Sequence, residues 1–349
     1  MLCATFLRRK ANALAALVLA SAVSMPMVCV AQSAYRVLNH WMIGGEGGWD
    51  YMTMDAAAHR LYLAHNETVD VVDTDTGKKV GAIAGLKGTH GVALGPSGNY
   101  GYISDGRGDA IVVFDRHSLE KLATVPAGTN PDGIAYEPVT RTVWAFNGRS
   151  SDVSVLDTAT RKIVATIQLP GKPEFPVADG RGFVFDNIES KNELVKLDAR
   201  TNKVVGVYPL TGCESPSGLA IDRKDRRLIS VCDNKVMAIT SADTGKVLAT
   251  VPIGEGPDAT RFDARSDLAF ATNGESGDMT IVSLRGPAPH VMQTLKTAQG
   301  ARTMALDEET GRTYTVTAQF GPRPAPSPGN PHGRPTPVPG SFEVLVIGK

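Results

Sequence analysis

Short apolar strands separated by polar turns recur along the chain in nearly the same order. Residues 151–169 read SDVSVLDTATRKIVATIQL: an apolar run closing on Asp, a turn of Asp, Thr and Lys, then a second apolar run. The same order is found at 68–86 (TVDVVDTDTGKKVGAIAGL), 109–127 (DAIVVFDRHSLEKLATVPA), 192–210 (NELVKLDARTNKVVGVYPL) and 235–253 (KVMAITSADTGKVLATVPI). Runs of this length, rich in β-branched residues and bounded by turn formers, read as strands. A shorter segment opens each unit: WDYMTMD at 49–55, THGVALG at 89–95, PDGIAYE at 131–137, PEFPVAD at 173–179, PSGLAID at 216–222, PDATRFD at 257–263 and ARTMALD at 301–307. These seven copies start 40 to 44 residues apart.

Each unit carries four strand segments; in the third they are 133–136, 143–146, 153–157 and 163–169. No amphipathic helix of ordinary length is read anywhere. A single such unit exposes both faces of its sheet and must bury them against its neighbours. The pattern therefore predicts an all-β fold, a seven-bladed β-propeller of four-stranded antiparallel blades. The seventh copy has three strand segments, the last at 342–348. The orphan segment YRVLNHWMI at 35–43 is expected to supply its outer strand and so close the ring. Within that blade, residues 321–341 hold eight prolines in 21 residues. Proline cannot donate to a ladder, so this is a loop of extended character between the second and third strands, either a surface loop or a flap over the propeller mouth.

Composition divides the chain. Arg8, Arg9 and Lys10 precede the apolar run 11–23, and Cys29-Val30-Ala31 offers small residues before Gln32. Residues 1–31 read as a secretory signal peptide, residues 32–349 as a single propeller domain, and the protein as periplasmic or secreted. The Arg8-Arg9 pair alone would suit a twin-arginine signal and Cys29 alone a lipidated cysteine, although Val28 is large for that processing. No other run is long enough to cross a membrane. The whole chain has 36 Lys+Arg against 36 Asp+Glu; without the signal the balance is slightly acidic, which argues against a nucleic-acid partner. Cys3 and Cys29 leave with the signal. Cys213 precedes the first strand of blade five and Cys232 ends its second, so antiparallel pairing sets them side by side, and a disulfide is predicted in an oxidising compartment.

In a propeller, the loop into each innermost strand points toward the central channel. The second residue of each opening segment is expected in a ring at one mouth: Asp50, His90, Asp132, Glu174, Ser217, Asp258 and Arg302. These carboxylates and the imidazole could hold a cation or a polar ligand. Asp after Pro is also a turn former that bonds its own backbone, and both readings stand. Gly91, Gly133, Gly218 and Ala259 beside them suit a crowded axis. A second set, Asp105, Asn147, Asn187 and Asn273, is read at the ends of second strands, as turn residues. Glu189 and Lys191 are expected to face the same opening, and His65 to lie near it. No G-x-S-x-G, P-loop, H-E-x-x-H or C-x-x-C-H sequence occurs.

The segments NPDGIAYEP and FNGRSSDVSVLDTATRKIVATI of blade three, ADGRGFVFDNIESKNELVKLDARTNKVV of blade four, and the Pro-rich loop followed by FEVLVIGK resemble YVTN-type repeats. From about Tyr35 to Lys349 the chain resembles the periplasmic YncE-like propeller proteins, with WAFNG and FATNG standing where the naming tetrapeptide would be. Related propellers include haem carriers, subunits of quinone-dependent dehydrogenases and sugar-lactone hydrolases, so the fold does not choose an activity. The reading is a monomeric, non-enzymatic binding or scaffold protein with a small-molecule ligand or a protein partner at the channel mouth. No cofactor is assigned, and a divalent cation is compatible with the ring. The alternative is a metal-dependent hydrolase of the lactonase type drawing on Asp50, His90, Glu174 and Asp258. A third reading is an accessory subunit of a periplasmic quinone- or haem-dependent redox system.

Overall fold

The computed structural model describes residues 34–95, 98–326 and 335–349. The expected signal peptide, 1–31, lies outside the described residues, as does 327–334 of the Pro-rich segment. The described strands form seven four-stranded antiparallel sheets, six of them built from consecutive strands. Blade three shows how the sequence builds one. Its strands are Pro131–Glu137, Thr142–Asn147, Asp152–Asp157 and Lys162–Gln168. The middle strands carry apolar residues of both parities, Val143, Trp144, Ala145 and Phe146 among them, all buried, because a neighbouring blade covers each face. The outermost strand alternates between exposed and covered positions, as a half-solvated strand should. The recurrent Asp-x-x-Thr turn is fixed locally: the Asp157 carboxylate accepts from the Thr160 N–H and hydroxyl, both at 2.7 Å. Asp73 and Thr76 repeat this at 2.8 and 2.6 Å in blade one.

The core lies between blades rather than within them. Trp144, Phe146, Val153 and Val155 of blade three form one cluster with Val184, Ile188, Val195 and Leu197 of blade four. At the axis, each innermost strand packs on the next, and Met304–Leu306 of blade seven packs on both Pro257–Asp263 and Trp49–Asp55, so the ring is closed. The expected closing strand is present. Arg36–Met42 runs antiparallel to Glu343–Gly348, which pairs in turn with Thr313–Thr317. Across this seam Trp49 packs on Phe320 and Phe342 with ring centroids 6.0 and 5.5 Å apart. The described legs of the Pro-rich segment meet as a short ribbon, with a Phe320–Pro337 bridge and Gly321 N–H donating to Thr336 O at 3.0 Å.

The axis is crowded as the small residues implied. A Cβ on Gly218 would lie 2.6 Å from the Asp258 carbonyl oxygen and 2.8 Å from Ala259 Cα and Thr260 N of the next blade. Cys213 and Cys232 form the expected disulfide, with Cα atoms 5.4 Å apart. Among the described residues no helix is long and apolar enough to cross a membrane.

Two outcomes follow from this packing. Gly218→Ala pushes a methyl group into the backbone of blade six, and urea unfolding is expected to show a loss of roughly 1–3 kcal/mol. The double variant Cys213→Ala, Cys232→Ala frees a loop of sequence separation 19, and the same measurement is expected to show a loss of about 3 kcal/mol.

Candidate functional site

The mouth is built by a repeated irregularity. In blade three, Pro131 pairs with Asn147, but the next pair is Ile134 with Ala145, so the ladder skips. The same skip follows Trp49, Thr89, Pro173, Pro216 and Pro257 in their blades. A bulge takes the second residue out of the ladder and re-aims its side chain, here toward the axis. That is why one residue converges from each of six blades; in blade seven Arg302 stands just before the strand Met304–Leu306.

The seven expected ring residues come together in two groups linked by hydrogen bonds and ion pairs, with Glu174 between them. His90 Nδ1 lies 2.6 Å from Asp50 Oδ2 and 3.6 Å from Asp132 Oδ1. On the other side Ser217 Oγ donates to the Asp258 carbonyl at 2.6 Å and to Asp258 Oδ1 at 3.1 Å. Arg302 Nε donates to Asp258 Oδ2 at 2.9 Å, and its Nη2 donates to the Trp49 carbonyl of blade one at 2.8 Å. Lys172 Nζ sits 3.1 Å from Glu174 Oε2 and also pairs with Glu189. Glu189 thus reaches the site through Lys172, a residue absent from the sequence-based set.

Asn187 lies elsewhere. Ile188, not Asn187, pairs with the first residue of its innermost strand, Pro173, as Asn147 does with Pro131. One step along a strand reverses the side chain. Asn187 is therefore wholly buried toward blade five, donating to the Ser217 carbonyl at 2.8 Å and accepting from Ser230 Oγ at 2.9 Å. It clamps two blades instead of facing the opening. Asp105, Asn147 and Asn273 do end their strands, and they hold turns. Asp105 accepts from Lys87 N at 2.9 Å and Gly88 N at 2.8 Å. Asn147 and Asn273 donate to Asp152 and Asp278 at 2.6 and 2.7 Å. His65 is buried against Asp70 at 2.9 Å, with its ring stacked 4.1 Å from that of Phe342.

The site is short of positive charge. Burial raises the Asp132 carboxyl above the usual carboxylate range, against the pull of His90, and the charge of Asp50 adds to it. Burial raises Glu174 as well, reinforced by the charge of Asp132 and opposed by Lys172. Its Oε2 has the Lys172 ammonium as its partner, and Lys172 also serves Glu189. Asp186, wholly buried in the strand beside Glu174, has neither oxygen hydrogen-bonded among the described residues. Burial and then the charge of Glu174 push its carboxyl well up. Burial opposes a charge on His90, but the hydrogen bond to Asp50 and the charges of Asp132, Asp50 and Glu174 outweigh it and raise the imidazole to about 9. One ligand atom each from Asp50, His90 and Asp132 lie within 4.8 Å of one another, a separation that a divalent cation could bridge. The ion would have to displace the proton that His90 Nδ1 shares with Asp50.

No protein-family model matches the chain, and no curated protein matches its sequence. Among solved structures, the chain is similar to hydrazine synthase of Kuenenia stuttgartiensis, at 17% identity and TM-score 0.68, with 77% of this chain and 92% of that one covered. It is similar to U3-55K at 12% identity and TM-score 0.73, covering 89% and 98%. It is also similar to the WD40 repeats of RRP9 at 12% identity and TM-score 0.74, covering 90% and 97%. At these identities the likeness is one of fold, and it agrees with the seven-bladed propeller described above.

Above pH 6.5 the mouth gives the pH dependence of stability one sign. His90 titrates near 9 in the fold against an ordinary 6.5, so its contribution is complete below pH 6.5 and lost as pH rises through 9. The raised carboxyls act in the same direction, since the fold favours their protonated forms. Thermal melting is expected to fall steadily from pH 6.5 to 9.5. His90→Gln is expected to melt roughly 2–4 °C below the wild type at pH 6.5 and to close most of that gap by pH 9.5.

Proposed function

We propose that the chain is an exported YVTN-type propeller, a single domain from residue 32 onward once residues 1–31 are removed. In this reading it acts as a non-enzymatic binding or scaffold protein and takes a cationic group on its channel mouth, from a small ligand or a partner protein. The carrying observation is the adjacent pair Asp132 and Glu174, both raised by burial, with one ammonium, Lys172, divided between Glu174 and Glu189. Such a pair is better served by a bound cation than by protons. Export is supported by the basic and apolar pattern of residues 8–31 and by the Cys213–Cys232 disulfide, which suits an oxidising compartment.

The test is calorimetric titration and thermal melting of the purified protein with calcium, with manganese and with a lysine-rich peptide, each at constant ionic strength. At least one of these is expected to bind saturably and raise the melting temperature. The Asp132→Asn, Glu174→Gln variant is expected to lose at least about tenfold in affinity, about 1.4 kcal/mol. Absence of binding by all three would overturn the reading.

The convergence of Asp50, His90 and Asp132 supports a second reading, a metal-dependent lactonase-type hydrolase. It requires a stoichiometric metal in elemental analysis and lactone hydrolysis that stops on chelation.

A further inference from the structure

Three residues beyond the mouth position, the innermost strands carry Thr53, Ala93, Ala135, Val177, Ala220, Arg261 and Ala305. These positions are equivalent by register, pairing with Tyr62, Tyr102, Trp144, Phe185, Ile229, Phe270 and Tyr314. Six are small or aliphatic, as a tapering channel requires. The seventh is an arginine.

Arg261, half-buried, lines an open pocket of about 160 Å³ together with Tyr51, Thr53, Ile134, Phe175 and Pro176. Its guanidinium lies 4.9 Å from the centre of the Phe175 ring, and Nη1 donates to the Thr260 carbonyl at 2.8 Å. Tyr51 packs edge-on against Phe175 with centroids 5.0 Å apart and reaches the Glu174 carbonyl at 3.3 Å, so the pair lies between Arg261 and the acidic mouth. Tyr51 gives no counter-charge. Burial, with the charges of Asp132, Glu174, Asp50 and Asp258, holds its phenol well above the ordinary value, and it stays neutral. Burial pulls Arg261 itself down to about 10, and no carboxylate opposes that fall. A guanidinium half-withdrawn from water without a counter-charge is a ready partner for an anion.

We propose that this pocket binds a small monocarboxylate through Arg261. The planar fork of a guanidinium matches the two oxygens of a carboxylate, in a geometry that an ammonium cannot reproduce. Phe175, Pro176 and Ile134 give the rest of the wall an apolar character suited to a short alkyl tail. At about 30 Å³ per water-sized group the space holds roughly five such groups, the size range of acetate to butyrate.

The experiment is thermal melting and calorimetry of the mature protein with propionate, acetate, chloride and phosphate at fixed ionic strength, for the wild type and Arg261→Met. Propionate and acetate are expected to raise the wild-type melting temperature saturably and more than chloride or phosphate do. Arg261→Met is expected to be insensitive to all four, and to melt no lower than the wild type without carboxylate because it removes an unpaired charge. Arg261→Lys is expected to bind propionate at least about tenfold more weakly than the wild type. Equal responses of the wild type and Arg261→Met, or chloride as effective as propionate, would overturn the assignment. If Arg261→Met does not fold, saturable broadening of the methyl resonance of ¹³C-propionate by the wild-type protein decides: its absence is equally fatal. The cation response of the mouth should persist in Arg261→Met, so the two sites can fail separately.

Discussion

The antiparallel pairing of Arg36–Met42 on Glu343–Gly348 is the constraint on which the rest of the molecule depends. Every blade has two apolar faces, and each face is buried only if a neighbour stands on both sides. An open ring would expose two faces at once, including the Trp49, Tyr314 and Phe342 cluster at the seam. Closure also completes the site. Arg302 of blade seven reaches across to the Trp49 carbonyl of blade one, so the ring of polar residues exists only when the last blade meets the first. Local turn chemistry recurs from blade to blade, but this one long-range pairing makes the repeats a single object.

The repeat was legible because it is written in turn chemistry and strand composition, which each blade must restate. Asp157 with Thr160 and Asp73 with Thr76 are visible in the sequence before any contact is known. The ring was legible for a related reason: the bulge recurs at the same residue, so one aligned column converges. Asn187 was misplaced by one residue because polar character suggested a strand end, whereas the ladder ends at Ile188. With a side-chain period of two, that single step moved it from the opening to a blade interface. His65 was lost to Asp70 and Phe342, contacts that only the folded chain supplies. Lys172, Asp186 and Arg261 lay outside the column being compared. Arg261 was within reach of the same alignment, three residues on, where it stands against six small or aliphatic residues.

The axis is electrostatically layered. Carboxyl groups dominate the mouth, the neutral pair of Tyr51 and Phe175 lies beneath, and a guanidinium with no carboxylate partner among the described residues follows. The same strand grammar carries other axial residues in other propellers, so a likeness of 12–17% identity conveys the blades and not their cargo.

His90 reports most directly on the upper layer, because its proton occupies the place a cationic ligand would take. The decisive measurement is an NMR titration of its imidazole in the mature protein, with and without a cation that the mouth binds. The free protein should titrate near 9, and a saturating cation should drive that value down by displacing or repelling the proton. A value near the ordinary 6.5, unchanged by the cation, would contradict an electron-rich mouth waiting for positive charge.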